Sequence, residues 1–277
     1  MIDMVGVDVD PSKIIRQDII PKQGACGPAT FLNALRFGPP AFQDAYAALP
    51  GDTDSEKLAS IIATHGSAPS AAMPGQSLFG SKGGVWPDDV HNYFSSILAD
   101  QGESMSWTFF DIADNEAPDE HLRRVHGILV SSLEQSTPII AGVNSYAARK
   151  QEDQKFQWKG IYAHYILIVR LSRHINTNAQ GFLFQFVEPS IGRLCEGYIY
   201  SETVRPFVAA KRSSGGYIYS ETTKHFEPIK GSHESKWIEN GFLHVVSLPF
   251  APSWDPPRTM VCKDFPDVGF RARQVCP

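Results

Sequence analysis

The sequence predicts an α+β fold, with a helical first half and an antiparallel β-sheet in the second half. Apolar residues recur at helical spacing from Cys26 to Leu35, Ser55 to His65 and Pro118 to Gln135. Apolar, β-branched and aromatic residues crowd into Ile161–Leu171 and Gly181–Val187. The two patterns are segregated along the chain rather than alternating, which favours α+β over a parallel α/β arrangement.

Taken in order, residues 1–22 read as an extended lead-in with Pro11 and Pro21. The first helix starts at Cys26. Phe31, Leu32 and Leu35 define an apolar face, Pro28 suits the first turn, and Gly38-Pro39-Pro40 stops it. Phe42–Leu49 and Ser55–His65 are further helices, the second capped by Asp54 or Ser55. Residues 66–87 are rich in Gly, Ser, Pro and Ala and lack periodicity, so a mobile functional loop is expected. A helix follows from Trp86-Pro87-Asp88-Asp89 to Leu98, its acids suiting the positive end.

Trp107–Ile112 alternates weakly as a strand. Pro118–Gln135 is amphipathic, with Leu122, Val125, Leu129 and Leu133 on one face. Pro138–Val143, Ile161–Leu171, Gly181–Val187, Tyr198–Tyr200, Tyr217–Tyr219 and Phe242–Leu248 read as strands. Gly197–Thr203 recurs as Gly216–Thr222, Gly-Tyr-Ile-Tyr-Ser-Glu-Thr in both copies. A duplicated hairpin arm explains the repeat better than an aromatic ligand surface does, because alternating aromatics suit any half-buried strand. Residues 1–225 are assigned to one domain. Residues 226–277 are assigned to an irregular, proline-rich extension packed on it.

Composition narrows the function classes. The 277 residues are 42% hydrophobic and 20% charged, as in ordinary globular proteins. A net charge of −5 argues against a nucleic-acid surface. No apolar run reaches the ~18 residues of a membrane span. No secretory signal pattern opens the chain. The four cysteines, Cys26, Cys195, Cys262 and Cys276, show no Cys-x-x-Cys spacing, so neither a zinc site nor another cofactor is expected. A reducing, cytoplasmic setting fits, with export and a Cys262–Cys276 disulfide as the alternative.

Cys26 is the candidate nucleophile. A thiol at a helix N-terminus feels unpaired N–H groups and the positive end of the macrodipole, both of which favour the thiolate. Gly27 would leave room beside the sulfur for a substrate backbone. Most cysteines are buried apolar fillers, so the nucleophile needs a base and an orienting group. Of nine histidines, His164 is expected at the start of the strongest strand, with a fixed position and an open side. Phe186-Val187-Glu188-Pro189 ends the following strand, so Glu188 would lie beside the start of the His164 strand. Asn144 and Glu196 are the alternatives for the orienting role.

Four segments together resemble the papain-like cysteine peptidases, most closely their bacteriocin-processing branch. They are Cys26-Gly27-Pro28-Ala29; Leu133 to Asn144, with Pro138 before an apolar strand; Ala163-His164-Tyr165 opening a β run; and Val187-Glu188-Pro189-Ser190. The match spans roughly residues 15–203. It implies a papain-like fold in which the nucleophile helix packs on an antiparallel sheet half. It also implies a peptide or amide substrate, a Cys26-His164-Glu188 triad and no cofactor or metal. The family usually has aspartate where Glu188 stands, and an oxyanion-hole glutamine six residues before the cysteine, where this chain has Ile20. Gln23 is the preferred substitute, with Gln17 the other nearby glutamine. Phe31–Leu35 and Asn144-Ser145-Tyr146 are also similar to phytochelatin synthases, which implies acyl transfer as the alternative to hydrolysis. A binding module on a catalytically inactive papain fold is the reading outside enzymes.

Overall fold

The computed structural model describes residues 2–21, 24–80, 84–102, 106–109, 117–150, 156–176 and 181–200. It also describes short strands at 208–211, 217–220, 225–228, 237–240 and 244–247. Helices and an antiparallel sheet make an α+β structure. The helices are α1 (Cys26–Phe37), α2 (Pro40–Ala48), α3 (Asp54–Thr64), α4 (Pro87–Ala99) and α5 (Pro118–Glu134). The longer strands are β1 (Met4–Gly6), β2 (Ser106–Phe109), β3 (Ile139–Lys150), β4 (Phe156–Ser172), β5 (Gly181–Glu188) and β6 (Arg193–Tyr200). Then come β7 (Val208–Lys211), β8 (Tyr217–Ser220), β9 (His225–Pro228), β10 (Trp237–Asn240) and β11 (His244–Ser247).

Seven of these strands form one sheet in the order β1-β4-β3-β10-β7-β6-β5, and a further β4–β5 pairing closes the larger part of it on itself. Two clusters of apolar side chains flank β4. Tyr165, Leu167 and Val169, with Val187 of β5, join the cluster of α1, α3 and α4. Ile166, Ile168 and Leu171 join α5 and the phenylalanines of β5. Burial on both faces explains why β4 and β5 read as nearly continuous apolar runs.

Helix α1 is the centre of the first cluster. Every residue from Cys26 to Leu35 is buried, as befits a helix enclosed on all sides rather than amphipathic. Its buried Thr30 and Asn33 are satisfied. Thr30 Oγ1 donates to Tyr165 O at 3.1 Å, docking the helix on β4. Asn33 donates to Ile15 O and accepts from Ile15 N, both at 2.8 Å, which ties the lead-in to the helix. Phe31 stacks on Phe94 of α4 with ring centroids 4.3 Å apart. On the other side of the sheet, Leu122, Val125, Leu129 and Leu133 of α5 are buried as the helical spacing predicts.

Several local expectations are corrected. The lead-in is not simply extended: β1 pairs with β4, and short 3₁₀ turns form at Pro11–Lys13 and Gln17–Ile19. The cap of α3 is Thr53, not Asp54 or Ser55. Its hydroxyl accepts from Glu56 N while Glu56 reaches back to Thr53 N, a reciprocal pair that satisfies two orphan N–H groups. The described part of the segment after α3, residues 66–80 and 84–86, makes regular hydrogen bonds of its own. Leu78 N bonds Ala68 O at 2.7 Å and Ser70 N bonds Gln76 O at 2.9 Å, and Leu78 and Val85 are buried. Asp89, fully buried on α4, accepts from Ser70 Oγ at 2.5 Å and Ala71 N at 2.8 Å. The loop's glycines and serines supply turns and donors to one carboxylate, so low periodicity here does not mean missing structure.

The tyrosine repeat divides between two sheets. Gly197–Tyr200 of its first copy lie in β6, between β5 and β7, and Tyr217–Ser220 of its second form β8, which pairs with β9 alone among the described strands. The strand expected at Phe242–Leu248 is β11, paired with β2. β10 lies in the segment assigned to the extension, and it joins the main sheet between β3 and β7. Residues 248–277, with Cys262 and Cys276, lie outside the described residues. No described helix is long and apolar enough to cross a membrane.

Candidate active site

Cys26 is the first residue of α1 and is wholly buried. Gly24, two residues earlier, has φ +76°, a conformation that glycine adopts without strain, so the chain can turn sharply into the helix. No side chain caps this end. Gly27 is not open space beside the sulfur, as the sequence suggested. A Cβ added there would lie 3.3 Å from Tyr165 Cδ2, so the glycine lets helix and strand approach. The Tyr165 hydroxyl donates to Val85 O at 3.2 Å, linking the same contact to the loop before α4.

His164 stands within β4, not at its start, because pairing with β3 carries the strand back to Phe156. Its ring is 3% exposed. The β4–β5 register pairs Leu167 with Val187 and Ile168 with Phe186. One step further sets Glu188 opposite Ile166, which makes His164 its diagonal neighbour on the same side of the strands. Such diagonals span about 7–8 Å, within reach of a long side chain. Glu188, 1% exposed, crosses it: His164 Nε2 lies 2.5 Å from Glu188 Oε1.

Cys26 lies close enough to this ring to act on its charge. Burial by itself lowers the histidine pKa, but it is outweighed. Hydrogen bonds with Cys26 and Glu188, followed by their charges, push His164 up to about 9 from 6.5. The net effect of a nearby thiol and a bonded carboxylate is to favour the protonated ring.

The turn after β5 is fixed from several directions. Glu188 Oε1 also accepts from Ser190 Oγ at 2.6 Å and from Ser190 N at 3.1 Å. Gly192 N bonds Glu188 O at 2.9 Å, and Gln17 N bonds Pro189 O at 2.9 Å. Gly192 has φ +62°, and a Cβ there would lie 2.5 Å from Arg16 Cγ, so this turn lies tightly against the lead-in. Gln17 is itself buried at 6% exposure, on the segment that leads into α1.

Of the sequence candidates, Cys26, His164 and Glu188 come together. Gln23 lies outside the described residues. Asn144 pairs with Ala163 on β3, and Glu196 on β6 accepts from Gln185 Nε2 at 3.3 Å. Other histidines are engaged elsewhere: His126 Nε2 donates to Ser172 O at 2.8 Å, and His65 Nδ1 lies 3.1 Å from Ser96 Oγ. His174 is exposed beyond β4, as expected. The reading of the sequence missed Ser190. Its signal was the Glu-Pro-Ser order: proline has no N–H, so Ser190 supplies the first backbone donor after the carboxylate.

Among the described residues no three His, Cys, Asp or Glu side chains form a metal-binding group. A cavity of about 370 Å³ involves Arg36, Phe37 and Tyr46, at the end of α1 away from Cys26. The Arg36 guanidinium there is already committed to Lys13 O at 2.7 Å and Asp54 Oδ2 at 2.8 Å. No protein-family model, no curated protein and no solved structure matches the chain.

Proposed function

We propose that this chain is a papain-like cysteine hydrolase that cleaves a peptide or amide bond through a thioester acyl-enzyme. The observation that carries the reading is the buried His164–Glu188 pair, 2.5 Å apart, with Cys26 at the start of α1 close enough to act on the same ring. Three residues distant in sequence converge in a buried setting, in the roles of nucleophile, base and orienting group. The architecture supports it, since a buried helix that opens with the thiol packs against an antiparallel sheet carrying the other two.

In this mechanism the Cys26 thiolate attacks the substrate carbonyl. With Nε2 committed to Glu188, Nδ1 is the ring nitrogen that serves the thiol and protonates the leaving amine. The tetrahedral oxyanion takes a hydrogen bond from Cys26 N–H and one from a glutamine side chain. Gln17 or Gln23 supplies it; the tether of Gln17 to Pro189 favours Gln17. Water entering after the amine leaves is deprotonated by His164 and releases the acid. An amine or thiol taking the place of water would make the enzyme an acyltransferase, with the chemistry unchanged up to the thioester.

The test is turnover of a fluorogenic peptide-amide library, with acid-quenched samples examined by mass spectrometry. Wild type is expected to release fluorophore and to carry an acyl mass on the peptide containing Cys26. Cys26→Ala should do neither. Turnover that survives Cys26→Ala, or an acyl mass on a different residue, overturns the reading.

A further inference from the structure

Glu188 is one methylene longer than the aspartate usual at this position in the family the chain resembles. The extra torsion gives its carboxylate more places to go. The structure nevertheless holds one oxygen in one place. Oε1 receives His164 Nε2 at 2.5 Å, Ser190 Oγ at 2.6 Å and Ser190 N at 3.1 Å. The clamp is built locally. Pro189 fixes its own φ and offers no N–H, so the chain turns and brings Ser190 back under the carboxylate. Gly192 N to Glu188 O and Gln17 N to Pro189 O, each 2.9 Å, hold that turn closed. Charge-assisted bonds of this kind are the strong ones, and Ser190 makes two of them to a buried carboxylate.

We infer that Ser190 is a positioning residue of the site: its hydroxyl holds Glu188 Oε1 against His164 and so completes a four-residue Cys26-His164-Glu188-Ser190 relay. Its role is to act through Glu188, the residue its hydroxyl and N–H both bond. The inference rests on the proposed triad. It adds that the longer acid works because a serine two residues on restrains it. Among the described residues, the groups facing the His164 ring that could shift its titration are Cys26 from α1 and Glu188 from β5. Loss of the serine hydroxyl leaves only the Ser190 N–H to restrain Oε1, so the carboxylate is held less closely against the ring and the ring loses part of its support.

The experiment is a pH titration of His164 by NMR on histidine-labelled full-length protein. It compares wild type with Ser190→Ala, Ser190→Gly and Ser190→Thr. Wild type should titrate at about 9. Ser190→Ala and Ser190→Gly should move the midpoint down by about one pH unit, a tenfold change in the proton-binding constant. Ser190→Thr, which keeps the hydroxyl, should restore it. Using both Ala and Gly keeps the test open should one variant fold poorly. With a substrate in hand, kcat should fall about tenfold in Ser190→Ala while KM stays put, as for a lost hydrogen bond to a charged group. A wild-type midpoint near 9 that is unchanged in Ser190→Ala or Ser190→Gly overturns the Ser190 assignment and leaves the triad standing. A wild-type midpoint at the ordinary 6.5 overturns the triad reading itself.

Discussion

Glu188 reaches His164 along a diagonal of the β4–β5 pair, Oε1 to Nε2 at 2.5 Å. Directly opposite residues would need only a short acid. A diagonal neighbour is farther off, which suits the longer arm. Glu188→Gln keeps length and removes charge, so activity should fall about tenfold to a thousandfold, in line with other orienting groups. Glu188→Asp restores charge on a shorter arm and should be intermediate. Steady-state kcat/KM for the two variants checks this; a fully active Glu188→Gln would place the orienting group elsewhere.

The raised pKa of His164 links the site to stability. A group whose folded-state pKa is raised stabilises the fold fully below its unfolded value, and that contribution is lost as pH rises through the folded value. For His164 the window runs from 6.5 to about 9. Thermal unfolding of wild type should therefore show Tm declining between pH 6.5 and 9.5. The decline should be smaller in His164→Gln. Parallel curves for the two proteins would mean that the ring is not charged in the fold.

The loop between α3 and α4 should be protected from exchange. Amides of Ala71, Leu78 and Phe79 are bonded to Asp89 Oδ1, Ala68 O and Gly66 O at 2.7–2.9 Å. Slow hydrogen exchange is expected at these three positions, with Asp89→Ala accelerating exchange at Ala71 first. Uniformly fast exchange in wild type would restore the mobile loop that the sequence suggested.

Asn33 binds the lead-in to α1 and is wholly buried. Asn33→Ala leaves Ile15 N–H and C=O without their partner, at a cost of about 3 kcal/mol by chemical denaturation. Asn33→Asp keeps one acceptor but buries a charge and should not recover the loss. The lead-in also carries Gln17, so activity should fall together with stability.

How far the site can be read from the chain depends on the kind of signal. Cys26 and Glu188 were legible because local text marks them: a cysteine before Gly-Pro at a helix start, and an acid before proline at a strand end. The α5 face was legible from its spacing alone. His164 was legible as the base from its place in the strongest strand, but the route by which it nears Cys26 was not. The alternation of β4 assigns Tyr165, Leu167 and Val169 to the cluster of α1 and gives His164 the opposite parity. His164 approaches the end of α1, where Cys26 stands, rather than the side of the helix, and side-chain periodicity does not encode that. The closure of the sheet through β10 depends on pairing partners far apart in sequence. Thr53 is the cap rather than Asp54 or Ser55 because Glu56 three residues on completes the reciprocal pair.

The central claim is that Cys26 is a thiolate paired with the His164 imidazolium at neutral pH. Its most direct test is the pH dependence of iodoacetamide alkylation at Cys26, read by peptide mass spectrometry in wild type and His164→Ala. In wild type, alkylation should already be fast and nearly level across pH 6 to 8. His164→Ala should shift the rise to the ordinary thiol range of about 8.5. Wild-type alkylation that begins only near that range, with a profile identical to His164→Ala, would contradict the claim.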